Sequence, residues 1–175
     1  MKLLDRARAI LLTPRTEWLV IEQEPISVPG LLLGYVAPLA AIPEVANLIG
    51  RTLIGGYKPV VPGLLRAVVA YVVTLVVVYI TAIIINLLAP RFGGKRAFGN
   101  ALKLSVYSQT PLWLAGTFLL IPGLNFLVLL GGLLGLRLLW IGLPLLMGSC
   151  DDRAFPYALI VIACALAPGV VLSIL

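Results

Sequence analysis

The stretch from Leu64 to Ala89, opening LLRAVVAYVV and closing INLLA, limits this chain more than any other feature. It is apolar almost throughout, and a helix needs about 20 such residues to cross the hydrocarbon of a bilayer. Four further stretches read the same way, at about 30–53, 104–121, 125–147 and 155–174. The first of these is interrupted by Pro38 and Pro43, and 104–121 is the shortest and most polar, with YSQTP near its start. Only IPGLN separates the third stretch from the fourth, so those two are expected to form a tight antiparallel hairpin. Composition agrees: 61% of residues are hydrophobic and 11% charged, against about 25% charged in a soluble domain. Mean hydropathy is +1.11. The expected fold class is all-α, a polytopic membrane bundle of five transmembrane helices over 30–175, preceded by a cytoplasmic interfacial segment over 1–29.

That leading segment has helical periodicity. In KLLDRARAILL, residues 2–12, Leu3, Leu4, Ala7, Ile10 and Leu11 share one face, while Lys2, Asp5, Arg6 and Arg8 cover the rest. A short basic amphipathic helix beside a membrane lies in the interface plane. Thr13 is positioned as an N-cap and Pro14 as a first helical residue; Trp18 is expected at headgroup depth. A soluble helical hairpin is the competing reading of this segment. The early run AILL is too short for the core of a cleavable signal.

The net charge is +6. With the N-terminus in the cytoplasm, the inner segments hold Lys2, Arg6, Arg8, Arg15, Arg91, Lys95, Arg96, Lys103 and Arg153, nine in all, against Arg51, Lys58 and Arg66 outside. Nine against three predicts N-in and C-out. The loop 90–103, with four of these cations and no acid, is decisive, and anionic lipid is the expected partner. No basic domain with aromatic platforms is present, which argues against nucleic acid. There is no histidine, so neither a Ser-His-Asp triad nor an HExxH zinc site can be built. Cys150 and Cys164 are fourteen residues apart, about 20 Å along a helix, too far for a disulfide. No catalytic, cofactor-binding or metal site is expected.

Charge inside the spans is the remaining puzzle. Glu44 sits near the centre of the first span and Arg137 near the centre of the fourth. An ionised side chain at the midplane costs about 2.5–3.5 kcal/mol on insertion scales, and two at similar depth offset that cost by pairing. A Glu44–Arg137 ion pair or shared polar network is expected, with Asn47 on the Glu44 face; it either locks helix register or handles a substrate or proton. Further polar-cavity candidates are Tyr79 and Asn86, seven apart on one face, and Tyr107, Ser108, Gln109 and Thr110. Interfacial candidates are Arg6, Arg8, Trp18, Arg91, Lys95 and Arg96. Gly131 with Gly135, and Ala163 with Ala167, make small-residue faces suited to close helix packing or self-association. Asp151, Asp152 and Arg153 read as a solvated cluster.

Several motifs stand in a fixed order: ILLTPRTEWLVIEQEP at 10–25, YVAPLAAIPEV at 35–45, KRAFGNALKLSVYSQTPLWLAG at 95–116, IPGL at 121–124 and LWIGLPLLM at 139–147. Together they resemble the bacterial branch of the YIP (Ypt/Rab-interacting protein) family of five-span membrane proteins. The most specific parts are Pro14, Trp18 and Glu22, and Tyr107-Ser-x-x-Pro111. The resemblance implies a cytosolic N-terminus and five spans. Eukaryotic relatives sit in Golgi and ER membranes and bind Rab GTPases; their long acidic and polar N-terminal region has no counterpart in the short segment of about 29 residues expected here, and a Rab-type GTPase is not an expected partner. The leading functional expectation is a non-enzymatic scaffold or adaptor of the inner membrane, binding lipid, another membrane protein or a second copy of itself. The alternative is a small transporter or lipid-handling protein centred on Glu44 and Arg137.

Overall fold

A computed structural model describes residues 3–56 and 60–174, with side chains except those of 53, 54 and 166–174. Lys2 and Lys58 of the charge count, and the side chain of Ala167, lie outside the described residues. The elements are α1 (Leu3–Leu12), α2 (Pro14–Gln23), α3 (Val28–Leu31), α4 (Ala37–Ile49), α5 (Val60–Leu88), α6 (Phe98–Ser108), α7 (Thr110–Ala115), α8 (Leu127–Met147) and α9 (Asp151–Ile174). Among the described residues there is no strand. Among the described residues, three stretches are long and apolar enough to cross a membrane: Val28–Thr52, Val60–Phe92 and Leu127–Met147. They correspond to the expected first, second and fourth spans.

Two compact units form, each from pieces distant in sequence. The first combines Met1–Ile26, Val77–Ser108 and Leu136–Leu175; the second combines Ser27–Val76 and Gln109–Gly135.

In the first unit, α1 and α2 pair as a helical hairpin. Thr13 precedes α2 and Pro14 opens it, as the sequence predicts, but the Thr13 hydroxyl donates backward to the Ala9 carbonyl at 3.1 Å and caps nothing. The hairpin buries Arg6, Ala7, Ile10, Trp18 and Ile21, whereas Leu4 and Leu12 are exposed. The buried face is therefore rotated from the one hydrophobicity alone selects, because Arg6 turns inward with it. Trp18 is fully buried, and Gly142 on α8 gives it room: a Cβ there would lie 2.8 Å from the indole and 2.5 Å from Leu104. The segment after α5 is strapped to the turn between α8 and α9. The Lys95 N–H donates to the Met147 carbonyl at 2.8 Å, the Cys150 N–H to the Phe92 carbonyl at 3.2 Å, and Phe92 stacks on Tyr157 at 4.5 Å. Asp151 and Asp152 fall in the first turn of α9, where carboxylates favour the positive end of a helix.

The second unit is shaped by proline and glycine. Around α4 the helix widens into π turns at Leu32–Val36 and Gly50–Ile54, with the Ala37 N–H donating to the Leu32 carbonyl. Pro38 and Pro43 bring no N–H to the ladder, and such local widening redistributes the freed acceptors, as a lipid environment demands. The region expected as one span over 104–121 is instead interrupted. The helix α6 begins at Phe98 and stops at Ser108; Gln109 breaks it ahead of Pro111; then α7 runs into a 3₁₀ turn over Gly116–Leu120. Pro111 has no N–H to give the Tyr107 carbonyl and its ring clashes with that turn, which accounts for the break. Gly116 packs directly on Pro43, Gly50 on the Leu119 carbonyl, and Gly131 on Ala115 and Pro111. Small residues at these points let backbones meet where lipid supplies no hydrophobic drive between helices.

A Cβ on Gly116 would lie 2.5 Å from that of Pro43, whereas one on Gly132 meets nothing within 4 Å. Gly116→Ala is expected to destabilise the protein by about 1–3 kcal/mol, and Gly132→Ala to be neutral or stabilising by up to about 1 kcal/mol. Denaturant unfolding in detergent micelles compares them.

Candidate functional site

Two polar centres stand out, one in each unit. The first is ionic and buried. Arg6 donates to Glu17 and to Glu24, so the guanidinium from α1 ties together the start and the end of α2. It also lies 5.8 Å above the Tyr107 ring, itself edge-on to Trp18 at 6.3 Å. Lys103 on α6 is 6% exposed, and its Nζ donates to the carbonyls of Ile21, Glu22 and Glu24 at 2.7, 3.1 and 2.6 Å. The last carbonyls of a helix have no partner within it and carry its negative end; Lys103 satisfies three acceptors at that end of α2.

The second centre is a pocket of about 170 Å³ in the second unit, between the end of the first span and the start of α5. Glu44, Asn47, Arg51 and Thr52 line one wall and Gly63 and Arg66 the other. Residues 44, 47 and 51 recur at helical spacing and share a face. Gly63 sets the width, since a Cβ there would stand 3.1 Å from Leu48. Arg66 acts through space on the Glu44 carboxylate. Among the described residues, Glu44, Asn47, Arg51 and Arg66 form no side-chain hydrogen bond and no ion pair.

The remaining sequence candidates distribute as follows. Arg137 is exposed on α8 and belongs to the first unit, while Glu44, half-buried, belongs to the second. Tyr79, Asn86, Tyr107 and Ser108 belong to the first unit. Tyr79 is exposed and edge-on to Phe98; Asn86 has a buried Oδ1 without a hydrogen-bond partner among the described residues; Tyr107 and Ser108 are buried. Asn47, Gln109 and Thr110 belong to the second, where the hydroxyls of Thr110 and Tyr35 lie 2.9 Å apart. Arg8, Arg91, Lys95 and Arg96 are exposed, whereas Arg6 and Trp18 turn inward. Gly131 and Gly135 are buried, and Ala163 is exposed. Sequence reasoning missed Glu17, Glu24 and Lys103 as members of a site. The available signal was Glu17 and Glu24 spaced by seven on the second arm of a segment already rich in cations.

The Yip1 domain family model matches residues 8–172. Comparison with curated proteins and with solved structures finds no match.

Arg6→Met leaves the buried Glu17 carboxylate without its cation, and removing one member of such a pair costs about 3–5 kcal/mol. The triple change Arg6→Met, Glu17→Gln, Glu24→Gln is expected to recover much of that loss in thermal unfolding. Lys103→Met removes charged donors worth about 1.5–3 kcal/mol each, and is expected to speed tryptic cleavage after Arg8 and Arg15.

Proposed function

The chain belongs to the Yip1 domain family, and from that premise we propose that it is a non-enzymatic scaffold or adaptor of the bacterial inner membrane. It binds anionic lipid, a partner membrane protein or a second copy of itself. Membership of the bacterial branch and five crossings with N-in, C-out topology are part of the same reading. In it α9 supplies the fifth crossing and the broken α6–α7 path the third, which suits the excess of cations on the inner segments.

The observation that carries the proposal is the docked N-terminal hairpin. Its inner face is fixed by buried charge, while its outer face exposes Leu4, Leu12, Leu19 and Val20 beside Arg8 and Arg15. Apolar side chains interleaved with arginine suit the boundary between headgroups and acyl chains. In the same unit Arg91, Lys95, Arg96 and Arg153 are exposed around the strapped loop, and clustered cations beside a membrane attract anionic headgroups at about 1 kcal/mol each. A surface held rigid in this way serves binding. A second reading, a small transporter or lipid-handling protein using Glu44 and Arg137, draws on the pocket at Glu44. Rab-type GTPases and nucleic acid lie outside both readings.

Proteoliposomes separate the two. The scaffold reading expects purified protein to move neither protons nor fluorescent lipid faster than empty vesicles; acceleration abolished by Glu44→Gln would establish the alternative. A phosphatase fused after Leu175 is expected to be active outside the cytoplasm.

A further inference from the structure

Glu44, Arg51 and Arg66 line a pocket beside the end of a membrane span and, among the described residues, form no side-chain hydrogen bond or ion pair. Arg66 acts on Glu44 only through space, so two guanidiniums face one carboxylate and the pocket keeps a net positive charge for a ligand to meet. We propose that the pocket takes a phosphoethanolamine group, the zwitterion of a primary ammonium and a phosphate joined by two methylenes. Arg51 and Arg66 hold the phosphate and Glu44 holds the ammonium. The inference rests on the reading of the chain as a lipid-binding membrane protein and adds to it a ligand class and a site.

The charge pattern selects this chemistry. Two guanidiniums from separate walls converge on one space, and guanidinium forks match phosphate oxygens. Arginines alone would favour any anionic headgroup. The carboxylate changes the selection, because it repels a purely anionic ligand and accepts hydrogen bonds from an ammonium. Glu44 precedes Arg51 by seven residues, about 10 Å along the axis. Helical Cα–Cβ bonds lean toward the N-terminus, a direction that suits an Arg51 side chain reaching back toward Glu44. Arg66 is exposed and Glu44 half-buried, so the carboxylate marks the inner part of the site and the ammonium enters first. Asn47, between them, offers an NH2 group with two donors and a carbonyl acceptor. A volume of about 170 Å³ suits a headgroup and excludes a diacylglycerol body, so a lipid's acyl chains would stay outside. Gly63 keeps the entrance wide, and any side chain there would press on Leu48.

The group reaches the pocket either on phosphatidylethanolamine or as a free solute, and the experiment distinguishes these. Full-length protein is placed in nanodiscs of phosphatidylethanolamine, phosphatidylcholine and phosphatidylglycerol in equal parts. It is then released and its retained lipid counted by native mass spectrometry. Separately, delipidated protein in detergent is titrated with soluble phosphoethanolamine while its melting temperature is followed. The expected result is retention of phosphatidylethanolamine over phosphatidylcholine, whose methylated nitrogen has no N–H to give Glu44. Glu44→Gln should lower that preference about 10-fold, as loss of one charged hydrogen bond does, without lowering retention of phosphatidylglycerol. Arg66→Gln should lower both, with folding of each variant checked by monodisperse elution. Stabilisation by soluble phosphoethanolamine assigns the free source, and its absence alongside lipid selectivity assigns the lipid. Equal retention of the three lipids with no response to phosphoethanolamine overturns the site, as does a preference that survives Glu44→Gln. Retention of no lipid at all overturns the membrane reading itself.

Discussion

Two cations inside a protein unit set the terms for everything around them. Arg6 and Lys103 are both almost wholly buried, and a buried charge persists only when it is paired and hydrogen-bonded. Arg6 uses the carboxylates of Glu17 in α2 and of Glu24 just beyond it; Lys103 uses the bare carbonyls at the end of the same helix. One short helix of ten residues thus receives a cation from α1 and another from α6. Isolated helices of that length are marginal in water, so α2 owes its stability to these contacts and to the Trp18 side chain seated against Gly142. The consequence for function is rigidity at a place where a loose amphipathic arm was the simpler expectation.

The second unit solves a different problem with different residues. Its helices carry prolines that remove backbone donors, in a setting where an unsatisfied carbonyl is expensive. The helix widens into π turns on either side of α4, and side-chain hydroxyls add bonds to its backbone, from Thr52 to the Leu48 carbonyl at 2.6 Å and from Tyr71 to the Ala37 carbonyl at 3.1 Å. Glycines at the crossing points then allow backbone-to-backbone contact. What this unit leaves without a hydrogen bond or ion pair, among the described residues, is the charged set Glu44, Arg51 and Arg66, which is why its pocket reads as a place for a ligand.

Features set by local sequence were legible. The 64–89 run, the IPGLN turn, with Gly123 at φ 102°, and Pro14 opening α2 follow from hydrophobic length and from backbone constraints that act within a few residues. Features set by distant partners were not. Arg6 reads as one more cation on a polar face until α2 folds back to deliver Glu17 and Glu24. Lys103 reads as a loop charge until the end of α2 arrives eighty residues away in sequence. The contact of Gly116 with Pro43 is likewise invisible to any window along the chain. Glu44 was legible as an anomaly, yet the cations that share its pocket, Arg51 and Arg66, are ones that the charge count had assigned to the outer segments.

Buried charge fixes the N-terminal hairpin as part of the folded protein. Amide hydrogen exchange of residues 14–23 in lipid nanodiscs tests it most directly. Protection comparable to that of α6, over 98–108, is the predicted result. Exchange at the rate of an unstructured or freely dissociating surface helix would contradict the account.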